Sequence, residues 1–194
     1  MSIMQGHHLP TERLLKYLQI GECHRALEEI SEIWNEAHML LDVQKWSKPL
    51  PKDEFILRFH PYASNSKAIA RLLKDAHMVW LFAVTLGETL ERCSKRYLAQ
   101  NEVFRGYVLD RIGSFLVEEE IRSMDLDIIQ ECRMNGYTTT HRYSPGYGDF
   151  SIKAQQIFFN LAKDYIYGLR ISSGSILFPE KTVTVIKGVI KRHP

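Results

Sequence analysis

The sequence predicts an α+β fold with a central, largely antiparallel sheet packed by helices, and three observations carry that reading. Residues 78–86 are continuously apolar between polar flanks, which suits a central strand covered on both faces. The helical pattern over 102–132 is longer than is usual in a globular domain. Strand-like and helical stretches follow one another without a regular βαβ repeat, which sets the chain apart from the parallel α/β folds.

In chain order, Pro10-Thr11 starts a helix over 12–18, and Gly21 stops it before a second helix over about 22–44. There Leu27, Ile30, Trp34, Ala37 and Leu41 recur at helical spacing, with Glu28, Glu29, Glu32 and Glu36 on the solvated side. Pro49 and Pro51 interrupt the pattern. Residues 54–60 then alternate, with Phe55, Leu57 and Phe59 on one side, which predicts a strand. Ser64-Asn65-Ser66 offers N-caps for a short helix through Lys74, with Ile69, Leu72 and Leu73 inward.

The strand over 78–86 closes at Gly87, and a helix carrying Leu90, Cys93 and Tyr97 runs to about Ala99. Along the long helix Phe104, Val108, Ile112 and Phe115 form a seam that Ile121, Met124 and Ile128 continue, with Gly113 either bending it or admitting a close neighbour. Asn135-Gly136 is a C-cap, and 137–141 lead on extended. Asp149 or Ser151 caps the next helix, whose apolar face is Ile157, Phe158 and Leu161. Residues 169–171 and 175–178 read as extended, Pro179-Glu180 turns the chain, and 182–190 is β-rich. The whole of 1–194 reads as one domain with an N-terminal helical part at about 10–45.

Composition excludes several function classes. Apolar content of 45%, charged content of 25% and a net charge of +2 are ordinary for a globular protein and make no case for nucleic acid. No apolar run reaches the ~20 residues of a spanning helix, and residues 1–10 lack a signal-peptide core, so a cytoplasmic protein is expected. Cys23, Cys93 and Cys132 fit neither a disulfide framework nor a Cys-x-x-Cys site and read as small buried hydrophobes. The eight histidines form no His-Glu-x-x-His, and His7-His8 lies near the terminus, so no metal site is expected. Hydrolase elbows and Walker or Rossmann glycine patterns are missing as well. Asp75-Ala76-His77 begins like the Asp-x-His-x-x-Gly of corrinoid carriers, but Trp80 stands at the glycine position, and His77 reads as the first residue of the central strand.

Two features remain as binding candidates. In residues 142–150 Pro145 presets its own φ, while Gly146 and Gly148 permit conformations closed to other residues. Arg142 can fork onto a carboxylate, and Tyr143 and Tyr147 offer flat faces with hydroxyl tips. The plain alternative is an ordinary surface turn. Glu118-Glu119-Glu120 is ordinarily a solvated helix face. Glu118 lies three residues from both Phe115 and Ile121, beside a semi-apolar seam suited to an ammonium group, but spacing does not decide between Glu118 and Glu119.

Arg142-Tyr143-Ser144-Pro145-Gly146-Tyr147-Gly148-Asp149 resembles the reactivation domain of vitamin B12-dependent methionine synthase, in its stand-alone form. Phe82-Ala83-Val84-Thr85-Leu86-Gly87, Leu109-Asp110-Arg111-Ile112-Gly113-Ser114 on to Glu118, and Phe178-Pro179-Glu180-Lys181-Thr182-Val183 resemble further stretches in the same order. The likeness implies a single curved α+β domain that binds S-adenosylmethionine and docks over a cobalamin held by a partner protein, a cobalamin-binding methionine synthase or a related corrinoid protein. It implies an accessory role, reductive methylation of cob(II)alamin in trans, with a flavodoxin-type electron donor and no catalytic residue of the chain's own. By the same likeness Arg142 pairs with the methionyl carboxylate, Ser144 and Gly146 present backbone groups, Tyr147 packs on the ligand, and Glu118 takes the amino group. Ser172-Ser173-Gly174 departs from the family's Thr-Glu-Ser and loses an acid. The alternative is a non-catalytic binding or regulatory protein of a corrinoid methyltransferase without S-adenosylmethionine binding.

Overall fold

The computed structural model describes residues 12–18 and 24–192. The expected helix start at Pro10-Thr11, the stop at Gly21, the second helix's start at Glu22, and Cys23 lie outside them. Helices α1 (Glu12–Leu18) and α2 (His24–Met39) are followed by strand β1 (Gln44–Pro51), helices α3 (Lys52–Arg58) and α4 (Lys67–Leu72), and strand β2 (Met78–Thr85). Helices α5 (Thr89–Ala99) and α6 (Val103–Met134), strand β3 (Tyr137–Thr139), a single 3₁₀ turn (Ile152–Ala154) and helix α7 (Gln155–Ala162) come next. A short pair, β4 (Arg170–Ile171) and β5 (Leu177–Phe178), precedes the last strand, β6 (Thr182–Lys191).

The main sheet runs β1-β2-β6-β3, every neighbouring pair antiparallel, with Leu81 opposite both Lys48 and Ile186. Alternation along β2 explains its unbroken apolar run. Phe82 and Val84 enter a core with α1, α2, α5 and α6, while Val79, Leu81 and Ala83 enter a second core with α3, α4 and α7. Helices therefore cover both faces, as the run predicts. Among the described residues no helix is long and apolar enough to cross a membrane.

Two expectations are corrected. The second helix ends at Met39, and residues 44–51 form a sheet edge in which Trp46 and Leu50 are buried. An edge strand tolerates proline because one row of its backbone groups needs no partner, so Pro49 and Pro51 mark β1 rather than a break. Residues 54–60 are mostly helix, not strand. Phe55 and Phe59 are buried at helical i,i+4 spacing, and Leu57 between them faces solvent.

The long helix is unbroken at Gly113, which serves close approach. A Cβ there would lie 2.6 Å from Leu90 Cδ2 and 3.2 Å from Lys181 Cε, both from buried residues. Gly113→Ala is expected to push α5 off α6 at a cost of about 1–3 kcal/mol, read as a lower urea midpoint. Cys93 and Cys132 are buried, as expected of small hydrophobes.

Candidate functional site

Strand β6 is paired along one side by β2, but β3 takes its other side only at residues 189–191, with one further bridge from Tyr143 to Ile186. Ile186 and Gly188 point their backbone groups at Tyr143 and Thr140, so alternation points those of Thr184 to the same side. In front of that edge lies a cleft of about 380 Å³, walled by Glu118, Arg142, Tyr143, Ser144, Tyr147 and Gln155.

The wall from 142 to 150 is built by its own hydrogen bonds. Tyr143 N–H donates to Ile186 O at 2.9 Å and receives Ile186 N–H on its own carbonyl at 2.8 Å. Ser144-Pro145-Gly146-Tyr147 then makes a type II turn, with Tyr147 N–H on Ser144 O at 3.3 Å and Gly146 at φ +93°. Gly146 N–H donates to Phe150 O at 2.8 Å. The Tyr143 hydroxyl donates to Tyr147 O, and it stands 2.5 Å from where a Cβ on residue 148 would be, so only glycine fits there. Phe150, 1% exposed, roots the loop in the second core.

Asp149 holds the loop to another layer. It was expected to cap the helix after it; instead its Oδ1 accepts Ser66 Oγ–H at 2.6 Å and Ala68 N–H at 3.1 Å, and Oδ2 accepts Lys67 N–H at 2.8 Å, at the start of α4. The alternative cap, Ser151, accepts Lys153 N–H in the 3₁₀ turn. The Ser66 hydroxyl, helped by the two backbone N–H groups, holds the Asp149 carboxyl below its usual 3.8. A depressed carboxyl contributes its stabilisation above the unfolded-state pKa and loses it as pH falls through the folded-state value. The protection factors of the Lys67 and Ala68 amides, exchange rates divided out by their intrinsic pH dependence, are therefore expected to be constant at neutral pH and to fall only below about pH 4. Asp149→Ala should show the lower protection already at pH 7.

The three glutamates of α6 separate by side. Successive helical residues turn by about 100°, so each carboxylate meets a cation from a different element. Glu119 pairs with Arg13 of α1 at 2.7 Å, Glu120 with Lys45 of β1 at 2.8 Å, and Glu118 with Arg142 of the loop at 3.0 Å. Spacing leaves Glu118 and Glu119 level; in the fold Glu118 alone of the three faces the cleft. With Arg142 about one third and Glu118 about half exposed, the pair adds little stability and acts by holding two opposite charges at the cleft wall. Arg142 Nη1 is buried and has no hydrogen-bond partner. A buried donor of that kind calls for an acceptor.

Of the residues singled out in the sequence, Glu118, Arg142, Ser144 and Tyr147 meet at the cleft, and Tyr147 keeps two thirds of its surface exposed. Gly146 does not line it; its N–H is engaged inside the turn, and its part is to shape the loop. Gln155, which accepts the Thr184 hydroxyl at 3.3 Å, and the free edge at 182–185 are additions. The only sequence signal for them was the β-rich close of the chain. No family model and no curated protein sequence matches the chain. Among solved structures, the crystal structure of the MetH reactivation domain bound to AdoHcy superposes with a TM-score of 0.62 over 95% of this chain and 70% of that one, at 12% identity. The chain has the reactivation-domain fold. At that identity the likeness is one of fold, an antiparallel sheet packed by helices; the cleft between the long helix, the sheet edge and the 142–150 loop is described from this chain alone.

Proposed function

We propose that this chain binds S-adenosylmethionine in the cleft beside β6 and orients its methyl group for reductive methylation of a cobalamin carried by a partner protein. The observation that carries the reading is the Glu118–Arg142 pair at 3.0 Å with a partnerless Arg142 Nη1, set in a reactivation-domain fold whose solved relative is described as bound to AdoHcy. A methionyl zwitterion needs one fixed cation and one fixed anion. Arg142 offers Nη1 to its carboxylate, and Glu118 turns from Arg142 to its ammonium. Ser144 lines the same wall, the Tyr147 ring packs on the ligand, and the Thr184 edge offers a backbone donor and acceptor to a planar base.

A partner's cobalamin, reduced by one electron from a flavodoxin-type donor, would supply the nucleophile, and the bound sulfonium would give up its methyl and leave as S-adenosylhomocysteine. The chain's own residues bind and orient. Displacement at a methyl-sulfonium carbon needs no proton transfer, so an oriented ligand suffices. Cobalamin-binding methionine synthase or a related corrinoid protein is the proposed partner, and the chain works as its accessory component.

Calorimetric titration with S-adenosylmethionine and with S-adenosylhomocysteine tests the reading. Saturable heat with both is expected. Absence of heat with both would leave the rival, a binding or regulatory protein that keeps the fold without the methyl donor.

A further inference from the structure

A second cleft, of about 400 Å³, lies on the far side of Arg142. Its walls are a stripe of α6 at four-residue spacing (Asp125, Ile129, Arg133), the crossing segment 138–142, and Lys187 of β6. Lys187 is only 2% exposed, although it sits in the middle of the sheet on the side facing α6. Its Nζ lies 2.6 Å from Asp125 Oδ1, and the two form an ion pair at the floor of the cleft. No other acceptor among the described residues takes a hydrogen bond from Nζ. An ammonium carries three donors, and one carboxylate oxygen does not take all of them.

The charges at the walls do not cancel. Lys187 and Arg133 stand against Asp125, and Arg142 is shared with Glu118 of the first cleft, so one cation is in excess, with His141 beside them. The ligand that completes such a site is anionic and offers several acceptors at once, which is the chemistry of a tetrahedral oxyanion rather than of a neutral amide or sugar. The volume admits more than the oxyanion itself.

We propose that the second cleft binds a phosphate group, with Lys187 at its floor, held in line by Asp125, and Arg133 closing it from the end of α6. The phosphate reaches the site either free or as the head of a small phosphomonoester. The two clefts share Arg142 as a wall, which directs Nη2 to Glu118 of the first, but nothing in the phosphate site requires S-adenosylmethionine.

Titration in phosphate-free buffer without S-adenosylmethionine tests it, inorganic phosphate in one arm and glycerol 3-phosphate in the other. Saturable binding is expected in at least one arm, and tighter binding of the ester identifies the phosphomonoester as the source. Lys187→Met is expected to weaken binding at least about tenfold. Arg133→Gln, an exposed position that leaves the core untouched, is expected to weaken it severalfold and carries the test if Lys187→Met does not fold. No saturable binding in either arm, or unchanged affinity in Arg133→Gln and in folded Lys187→Met, overturns the proposal. Neither result bears on the methyl-donor reading, which has its own titration.

Discussion

Arg142→Ala is expected to weaken S-adenosylmethionine binding by about 100-fold, the equivalent of roughly 3 kcal/mol for a charge-assisted fork onto a carboxylate. The loss should appear as affinity and not as unfolding. The side chain's one hydrogen bond is to Glu118, itself half exposed, and the loop is held by the backbone of Tyr143 and Gly146, by Phe150 and by Asp149. The thermal midpoint of the ligand-free variant should therefore stay close to that of the parent. Arg142→Lys keeps the charge but not the planar fork and should fall between the two, about tenfold down. Glu118→Gln should weaken the zwitterion and spare analogues that lack the amino group. If Arg142→Ala binds as the parent does, the methionyl end is not held at this loop, whatever else the cleft contains.

How much of this was legible beforehand divides along physical lines. The long helix, the buried strand over 78–86 and the closing strand were readable because long periods and unbroken apolar runs are set by burial, which the sequence records directly. The loop was readable as a shaped turn because Pro145 and Gly146 are the residues a type II turn demands. Its anchor was not. Asp149 caps α4, about 80 residues earlier, and no local pattern links a carboxylate to a helix that far away. The separation of Glu118 from Glu119 and Glu120 was hidden for the same reason, since it depends on which cation each carboxylate meets across the fold. Strand β1 was missed because an edge strand relaxes the rule against proline, and Lys187 because a lysine in a β-rich stretch is ordinarily an outward residue.

The misread segment at 54–60 yields the sharpest test of the fold. Phe55, Leu57 and Phe59 satisfy a strand's alternation, and the outer two also satisfy the helical i,i+4 step, so the pattern alone cannot choose. Packing chooses. Phe59 is fully buried, its ring 4.5 Å from Phe55, 5.4 Å from Phe158 and 6.5 Å from Phe150, whereas Leu57 is 78% exposed. Phe59→Ala is expected to cost about 3–5 kcal/mol, a fall in thermal midpoint of about 6–20 °C in a domain of this size. Leu57→Ala should stay within about 0.5 kcal/mol of the parent. A strand with all three side chains inward would make the two losses comparable, and equal losses would overturn the helix. Because Phe150 and Phe158 share that cluster with Phe59, the larger loss should reach the loop as well: Phe59→Ala is expected to loosen the Arg142 wall and lower S-adenosylmethionine affinity from the opposite face of the sheet, while Leu57→Ala leaves it intact.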